Sequence, residues 1–197
     1  MLGSITPLGE RSRRMRWGIT ATAYASGSVA GGAVIGGLLG LAGSPLAGRL
    51  AADRLLGLLA VAACVAVAFD LRLGGLRLPT VRRQVDDGWM RRYRGWVYGA
   101  GFGVQLGLGV VTIVTTAAVY LAGLAALLSG GLVAGALIGA VFGAARASTI
   151  LLARGADSPG AVIALDGTMQ RLRRRAGMAA VAGTALAAVL AVAAVVL

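Results

Sequence analysis

The feature that most constrains this chain is the alternation of long apolar stretches with short segments crowded with arginine. A helix needs about 20 mainly apolar residues to cross roughly 30 Å of hydrocarbon. Five stretches meet or approach that length: residues 17–43, 50–71, 96–125, 129–153 and 177–197. The second is the weakest, because its uninterrupted apolar part runs only from Leu55 to Phe69, with Asp53 and Arg54 at its start. The first and third exceed the need, a surplus that tilt, a break or an extension beyond the bilayer can absorb. With 58% hydrophobic residues, 13% charged residues and a mean hydropathy of +0.84, the composition lies outside the range of a water-soluble domain. The expectation is an all-α integral membrane protein: a basic N-terminus over 1–16, then one helical membrane domain over 17–197.

Charge placement gives the expected orientation. All 19 basic residues are arginine, and the formal charge is +12. Sixteen of the nineteen fall in residues 1–16, 72–95 and 154–176, whereas Arg49 and Arg54 fall between the first two spans. Positive charge accumulates on cytoplasmic loops, so the N-terminus and the 72–95 and 154–176 loops are expected in the cytoplasm, with the C-terminus outside the cell membrane. That distribution accounts for the net charge without nucleic acid as a partner. Trp17, Trp89, Tyr93, Trp96 and Tyr98 fit a belt at the cytoplasmic interface. The 72–95 loop mixes arginines with Leu76, Leu78, Val81, Val85, Trp89 and Met90. Such a stretch can rest on anionic lipid or dock a cytosolic partner. The link over 154–170, with Ser158, Pro159 and Gly160, reads as a turn-rich loop. Ser12-Arg13-Arg14 resembles a twin-arginine export signal only superficially, since Arg16 interrupts the apolar residues that would follow; the first apolar run reads as a retained helix.

The side-chain inventory excludes most catalysis. There is no histidine, no lysine, one cysteine and seven acids: Glu10, Asp53, Asp70, Asp86, Asp87, Asp157 and Asp166. Transition-metal sites call for imidazole or thiolate clusters, and serine or cysteine nucleophiles call for a histidine or lysine base. No enzyme activity, cofactor or metal is expected. Cys64, within the apolar stretch 58–69, reads as a small buried hydrophobe.

Glycine spacing carries a packing expectation. Gly95, Gly99, Gly103 and Gly107 recur every fourth residue into the third span, as do Gly131, Gly135, Gly139 and Gly143 along the fourth. Each glycine costs a helix about 1 kcal/mol relative to alanine, so eight at one spacing predict compensating close contact between helices, a glycine-zipper arrangement. The first span adds Gly27, Gly31, Gly32, Gly36 and Gly40. The third span also carries Gln105, Thr112, Thr115, Thr116 and Tyr120, and polar groups at membrane depth need a partner or water. Either they bond between helices and to their own backbone, or Gln105, Thr112 and Thr115 or Thr116 line a hydrated path. Thr20, Thr22, Tyr24, Ser26 and Ser28 of the first span are candidates for its walls. Arg146, inside the fourth span, either snorkels to the headgroups or forms an inward site for an anion or for Asp70.

Read in order, the glycine-rich run 24–43, a second helix, a basic loop with Pro79, the run 98–121, the helix 135–148 and the final segment from 173 resemble the membrane domain of the CcdA/DsbD thiol-electron transporters. The resemblance covers residues 16–197, with one helix fewer than the family's six. Where that family carries a Thr-Pro-Cys element, this chain reads Gly109, Val110, Val111, Thr112 and Ile113, lacking the proline and the redox cysteine. What it implies is a compact inverted-repeat helical fold of the wider small-exporter superfamily. The first and third spans both begin beside an arginine and a tryptophan (Arg16 and Trp17, Arg94 and Trp96), a pairing that duplication or interface chemistry alone produces.

Two functions are expected on this basis. One is a transporter of a small polar or anionic solute, with Gln105, Thr112, Thr115 and Arg146 along the path. The other is a non-catalytic subunit or assembly factor packed against another membrane protein or itself. A thiol relay through Cys64 ranks behind both.

Overall fold

In a computed structural model of the chain, residues 5–75, 92–109 and 116–196 are described. All regular structure among them is helical: α1 Pro7–Ser12, α2 Trp17–Ala47, α3 Ala52–Asp70, α4 Gly95–Leu108, α5 Ala118–Leu128, α6 Leu132–Ala147 and α7 Pro159–Val196, with a 3-10 segment Ser148–Gly155 continuing α6. Among the described residues, three helices are long and apolar enough to cross a membrane: Trp17–Ala47, Ala52–Asp70 and Leu132–Gly155.

The axis of the bundle is α2, against which α4, α5 and α6 pack. At 1.5 Å per residue its 31 residues span about 46 Å. The residues it buries are small or polar, except Tyr24: Thr20, Ala21, Ser28 and the glycines between Gly27 and Gly43. One glycine pair faces α4, where a Cβ added at Gly31 would meet the Val104 carbonyl oxygen at 2.7 Å. A second row, Gly32, Gly36 and Gly40, lies against the backbone of Gly139, Gly135 and Gly131, closer than any Cβ could fit. Near the end of α2, Pro45 leaves the Leu41 carbonyl without its usual helical donor, and the Ser44 hydroxyl supplies one at 2.8 Å.

Large apolar side chains occupy the outside instead. Val34 and Leu38 of α2, Val61 of α3 and Val133, Leu137 and Val141 of α6 are all more than half exposed. In lipid, large apolar side chains gain little by leaving the surface, while close backbone approach gains dispersion. This arrangement, small residues inside and leucine and valine outside, is what such a solvent favours.

The expected third span is not one helix. Its range 96–125 holds α4 and part of α5, with Gly109 ending α4 in the left-handed region at φ 73°. Hydropathy is blind to a left-handed residue, a conformation glycine adopts cheaply. The expected 154–176 loop is helical from Pro159 onward. Proline suits a first helical turn, and the Ser158 hydroxyl accepts the Ala161 N–H at 3.3 Å. The stretch 177–196, expected as a fifth span, continues that same helix. Cys64 is exposed rather than buried. Ala60, Ala63 and Ala66 form the inner face of α3, and Cys64 lies about 100° round the helix from Ala63.

Candidate functional site

The N-terminal segment folds back onto one end of the bundle. Thr6 caps α1, its hydroxyl accepting from the Gly9 N–H at 3.1 Å, with Pro7 at the first helical position. The Leu8 N–H donates to the Ala156 carbonyl at 3.1 Å, and Trp17 Nε1 donates to the Ile5 carbonyl at 3.3 Å. Together these dock residues 5–12 against the start of α2 and the end of the 3-10 segment. The main apolar cluster sits here, built from Ile5, Ala21, Tyr24, Tyr98, Phe102 and Ile150 with Ala147.

Glu10 is at the centre of this end and has no exposed surface. Its Oε2 accepts from the Thr20 hydroxyl at 2.7 Å. Its Oε1 accepts from the Tyr98 hydroxyl and from Arg13 Nη1, the latter at 3.1 Å. The Arg13 guanidinium also sits 5.9 Å from the Tyr98 ring centroid, in cation–π range. Gly95 leaves room for this group, since a Cβ there would crowd Thr20 Oγ1 and lie 3.0 Å from Met15 Sδ and 3.2 Å from Glu10 Oε2. One carboxylate thus ties α1, α2 and α4 together through three donors. A buried charge is tolerable only when so satisfied, and the chemistry available here is that of a latch.

Glu10 entered the sequence analysis only as one of seven acids. The signal available was that it is the sole acid before Asp53, amid Arg11, Arg13, Arg14 and Arg16.

Of the expected path residues, Gln105 and Arg146 fall among the described residues. Gln105 is half-buried and lies roughly 160° round α4 from the Gly99, Gly103 and Gly107 row, away from α2. Thr112 and Thr115 lie outside the described residues. Four of the five expected walls on α2 are engaged by hydrogen bonds, Thr20 with Glu10, Ser28 with the Gly143 carbonyl at 2.8 Å, and Thr22 and Ser26 with carbonyls of their own helix, while Tyr24 is buried in the apolar cluster. Arg146 occupies the last turn of α6, where the helix dipole favours a cation. Its guanidinium stacks 5.5 Å from the Phe142 centroid, and Phe142 in turn packs against Gly109 at the end of α4. Asp70, the suggested partner for Arg146, accepts instead from the Ala117 N–H at 2.7 Å through Oδ1, at the start of α5.

The eight expected packing glycines divide by role. Gly99, Gly103 and Gly107 of α4 abut the carbonyls of Thr20, Tyr24 and Ser28, and Gly135, Gly139 and Gly143 of α6 abut those of Gly36, Gly32 and Ser28. Gly95 instead makes room for the Glu10 carboxylate, and Gly131 caps α6 in an extended conformation with its own carbonyl against Gly40. Ser28 is where α2, α4 and α6 meet.

A helical bundle with three helices able to cross a membrane and its large apolar side chains turned outward is of the integral membrane class. The chain is similar to the methylamine utilization protein MauF of Paracoccus versutus, with 35% identity over 129 residues, 64% of this chain and 47% of that protein. The match thus spans about half the length of this curated relative. No family model matches the chain, and no solved structure does.

Proposed function

We propose that the chain is a non-catalytic membrane subunit or assembly factor, multi-pass in the cell membrane, that serves the use of a small amine as its relative's name indicates. The observation that carries this is the filling of the bundle's middle by backbone. Around Ser28, Gly32 and Gly36 the helices approach closer than a methyl group would allow, and the serine and threonine hydroxyls of α2 are bonded within the protein. The apolar rows on α2, α3 and α6 then remain for lipid or for a partner's helices. In this reading five membrane segments, α4 and α5 together making one, pack through glycine-zipper contacts with the arginine-rich N-terminal end in the cytoplasm. The CcdA/DsbD-like pattern enters as architecture, without the redox pair.

Native mass spectrometry of the protein gently extracted from its own membranes tests the proposal. A stoichiometric complex with a different membrane protein is expected. A lone monomer or a homo-oligomer overturns it.

One observation favours the transporter reading: the interruption at Gly109 between α4 and α5, with Phe142 and Arg146 beside it. Discontinuous helices frame many solute sites. Solute flux into vesicles containing the purified chain alone, lost on Arg146→Gln substitution, is the result that would decide for it.

A further inference from the structure

Between the starts of α2 and α4 lies a cleft of about 300 Å³. Arg13, Arg14, Arg16 and Arg94 line it, with Ile19 and Trp96 among the apolar side chains of its wall. Arg13 is engaged with Glu10 and Tyr98. Arg14, Arg16 and Arg94 are exposed and form no ion pair among the described residues.

The placement of these charges is specific. Arg16 and Arg94 are the N-cap residues of α2 and α4, and neither side chain caps its own helix; the first N–H of α4, at Gly95, donates to Met15 Sδ at 2.8 Å. Helix N-termini carry partial positive charge and favour acidic neighbours, so arginine at both is the wrong sign for the helices themselves. Arg14, at φ 58°, is the left-handed residue that closes α1, its N–H donating to the Arg11 carbonyl at 3.0 Å and the Met15 N–H to the Glu10 carbonyl at 2.8 Å, and that turn sets it on the lining of the same cleft. Three uncompensated guanidinium groups and two helix N-termini facing one cleft call for an anion with several acceptor oxygens.

We propose that this cleft binds a phosphate-class oxyanion, held by Arg14, Arg16 and Arg94 at the paired starts of α2 and α4. The volume is at the lower end of small-ligand sites, sufficient for a phosphate with a glycerol-sized substituent. An anionic lipid headgroup and a soluble phosphate present the same chemistry, and exposed Trp96 is of the type that sits at headgroup level.

The test uses the full chain purified in detergent. Native mass spectrometry follows retention of phosphatidylglycerol against phosphatidylcholine, and calorimetry follows binding of inorganic phosphate. The wild-type chain is expected to bind at least one of the two anionic probes. An Arg16→Gln/Arg94→Gln variant should bind it about thirtyfold more weakly, at about a factor of five per arginine. Arg49→Gln, changing an exposed arginine just beyond the far end of α2, should bind as the wild type does. Phosphatidylglycerol retention without phosphate binding assigns a lipid headgroup; phosphate binding that competes with lipid assigns a soluble ligand. Binding of neither probe overturns the proposal, as does an undiminished affinity in the double variant or an equal loss in Arg49→Gln. Should the double variant fail to fold, Arg14→Gln alone decides, with a loss of about fivefold expected and no loss counting against the site.

Discussion

The middle of the bundle and its arginine-rich end are held together by opposite means. Around Ser28, Gly32 and Gly36, α2 meets α4 and α6 backbone against backbone, with glycines on facing rows. At the end formed by α1, the start of α4 and the 3-10 segment, packing uses large aromatic rings, Tyr98 and Phe102, tilted 48° at 5.9 Å, and a buried carboxylate with three donors. The difference follows from the surroundings each region is read to have. In hydrocarbon a large apolar side chain gains nothing by moving from lipid to protein, so contact must come from close approach. Toward the headgroups water is present, so burying aromatic rings is favourable, and a buried carboxylate must have its lost hydration replaced by charge-assisted bonds.

The largest effect should come from breaking the middle. A Gly139→Leu variant places a branched side chain against the Gly32 carbonyl and the Gly36 Cα. No rotamer avoids backbone there, so α2 and α6 must separate, and the chain is expected not to accumulate in membranes. Gly139→Ala is the milder form, expected to cost about 1–3 kcal/mol through overpacking. Membrane yield and thermal unfolding in detergent check both.

At the other end, Glu10→Ala removes the acceptor shared by Thr20, Tyr98 and Arg13. Breaking a buried pair costs about 3–5 kcal/mol, and because Arg13 is partly exposed the loss should fall below that range. Tyr98→Phe, which keeps the ring and removes one donor to the carboxylate, should cost about 1.5–3 kcal/mol, the range for a hydrogen bond to a charged group. If the two regions are independent, Tyr98→Phe and Gly139→Ala should add in a double variant; coupling above about 0.5 kcal/mol would show that the latch and the glycine rows act as one unit.

How much of this was legible in sequence differs between the same two regions. Glycine at every fourth residue is a local property, and a helix converts it directly into one face, so the row from Gly99 to Gly107 could be read as a row. What it would touch could not, because α4 and α6 meet α2 only through tertiary folding. Glu10 was illegible for the same reason: its donors come from residues 13, 20 and 98, and nothing local to residues 7–12 announces that Tyr98 will arrive. A break was one of three ways the length of the third span left open, and its place at Gly109 was not legible because hydropathy sums side chains and does not register a change in φ. Cys64 was misplaced because an apolar helix offers no polar residue to mark its outer face, so only packing distinguishes Ala63 from its neighbour.

The left-handed Gly109 is a narrower point of attack on the same contrast. Gly109→Ala should cost about 1–2 kcal/mol for backbone conformation, with a further small cost where the added methyl meets Phe142 at 3.3 Å. Unfolding of this variant should also loosen the stacking of Arg146 on Phe142, seen as faster hydrogen exchange at the end of α6.

The smallest effect comes from glycines that no neighbour requires. A Cβ at Gly57 of α3, or at Gly177 or Gly183 of α7, meets nothing within 4 Å. All three sit inside helices, where alanine is preferred by about 1 kcal/mol. Replacing each by alanine should therefore leave stability unchanged or raise it by up to that amount, the opposite sign to the same substitution at Gly139. A sign difference between identical chemical changes on helices of one bundle isolates contact from propensity. Thermal unfolding of the Gly57→Ala and Gly139→Ala chains side by side measures it. If both lost stability equally, glycine would be serving helix flexibility throughout, and the close approach of α2 and α6 would not be what holds the middle together.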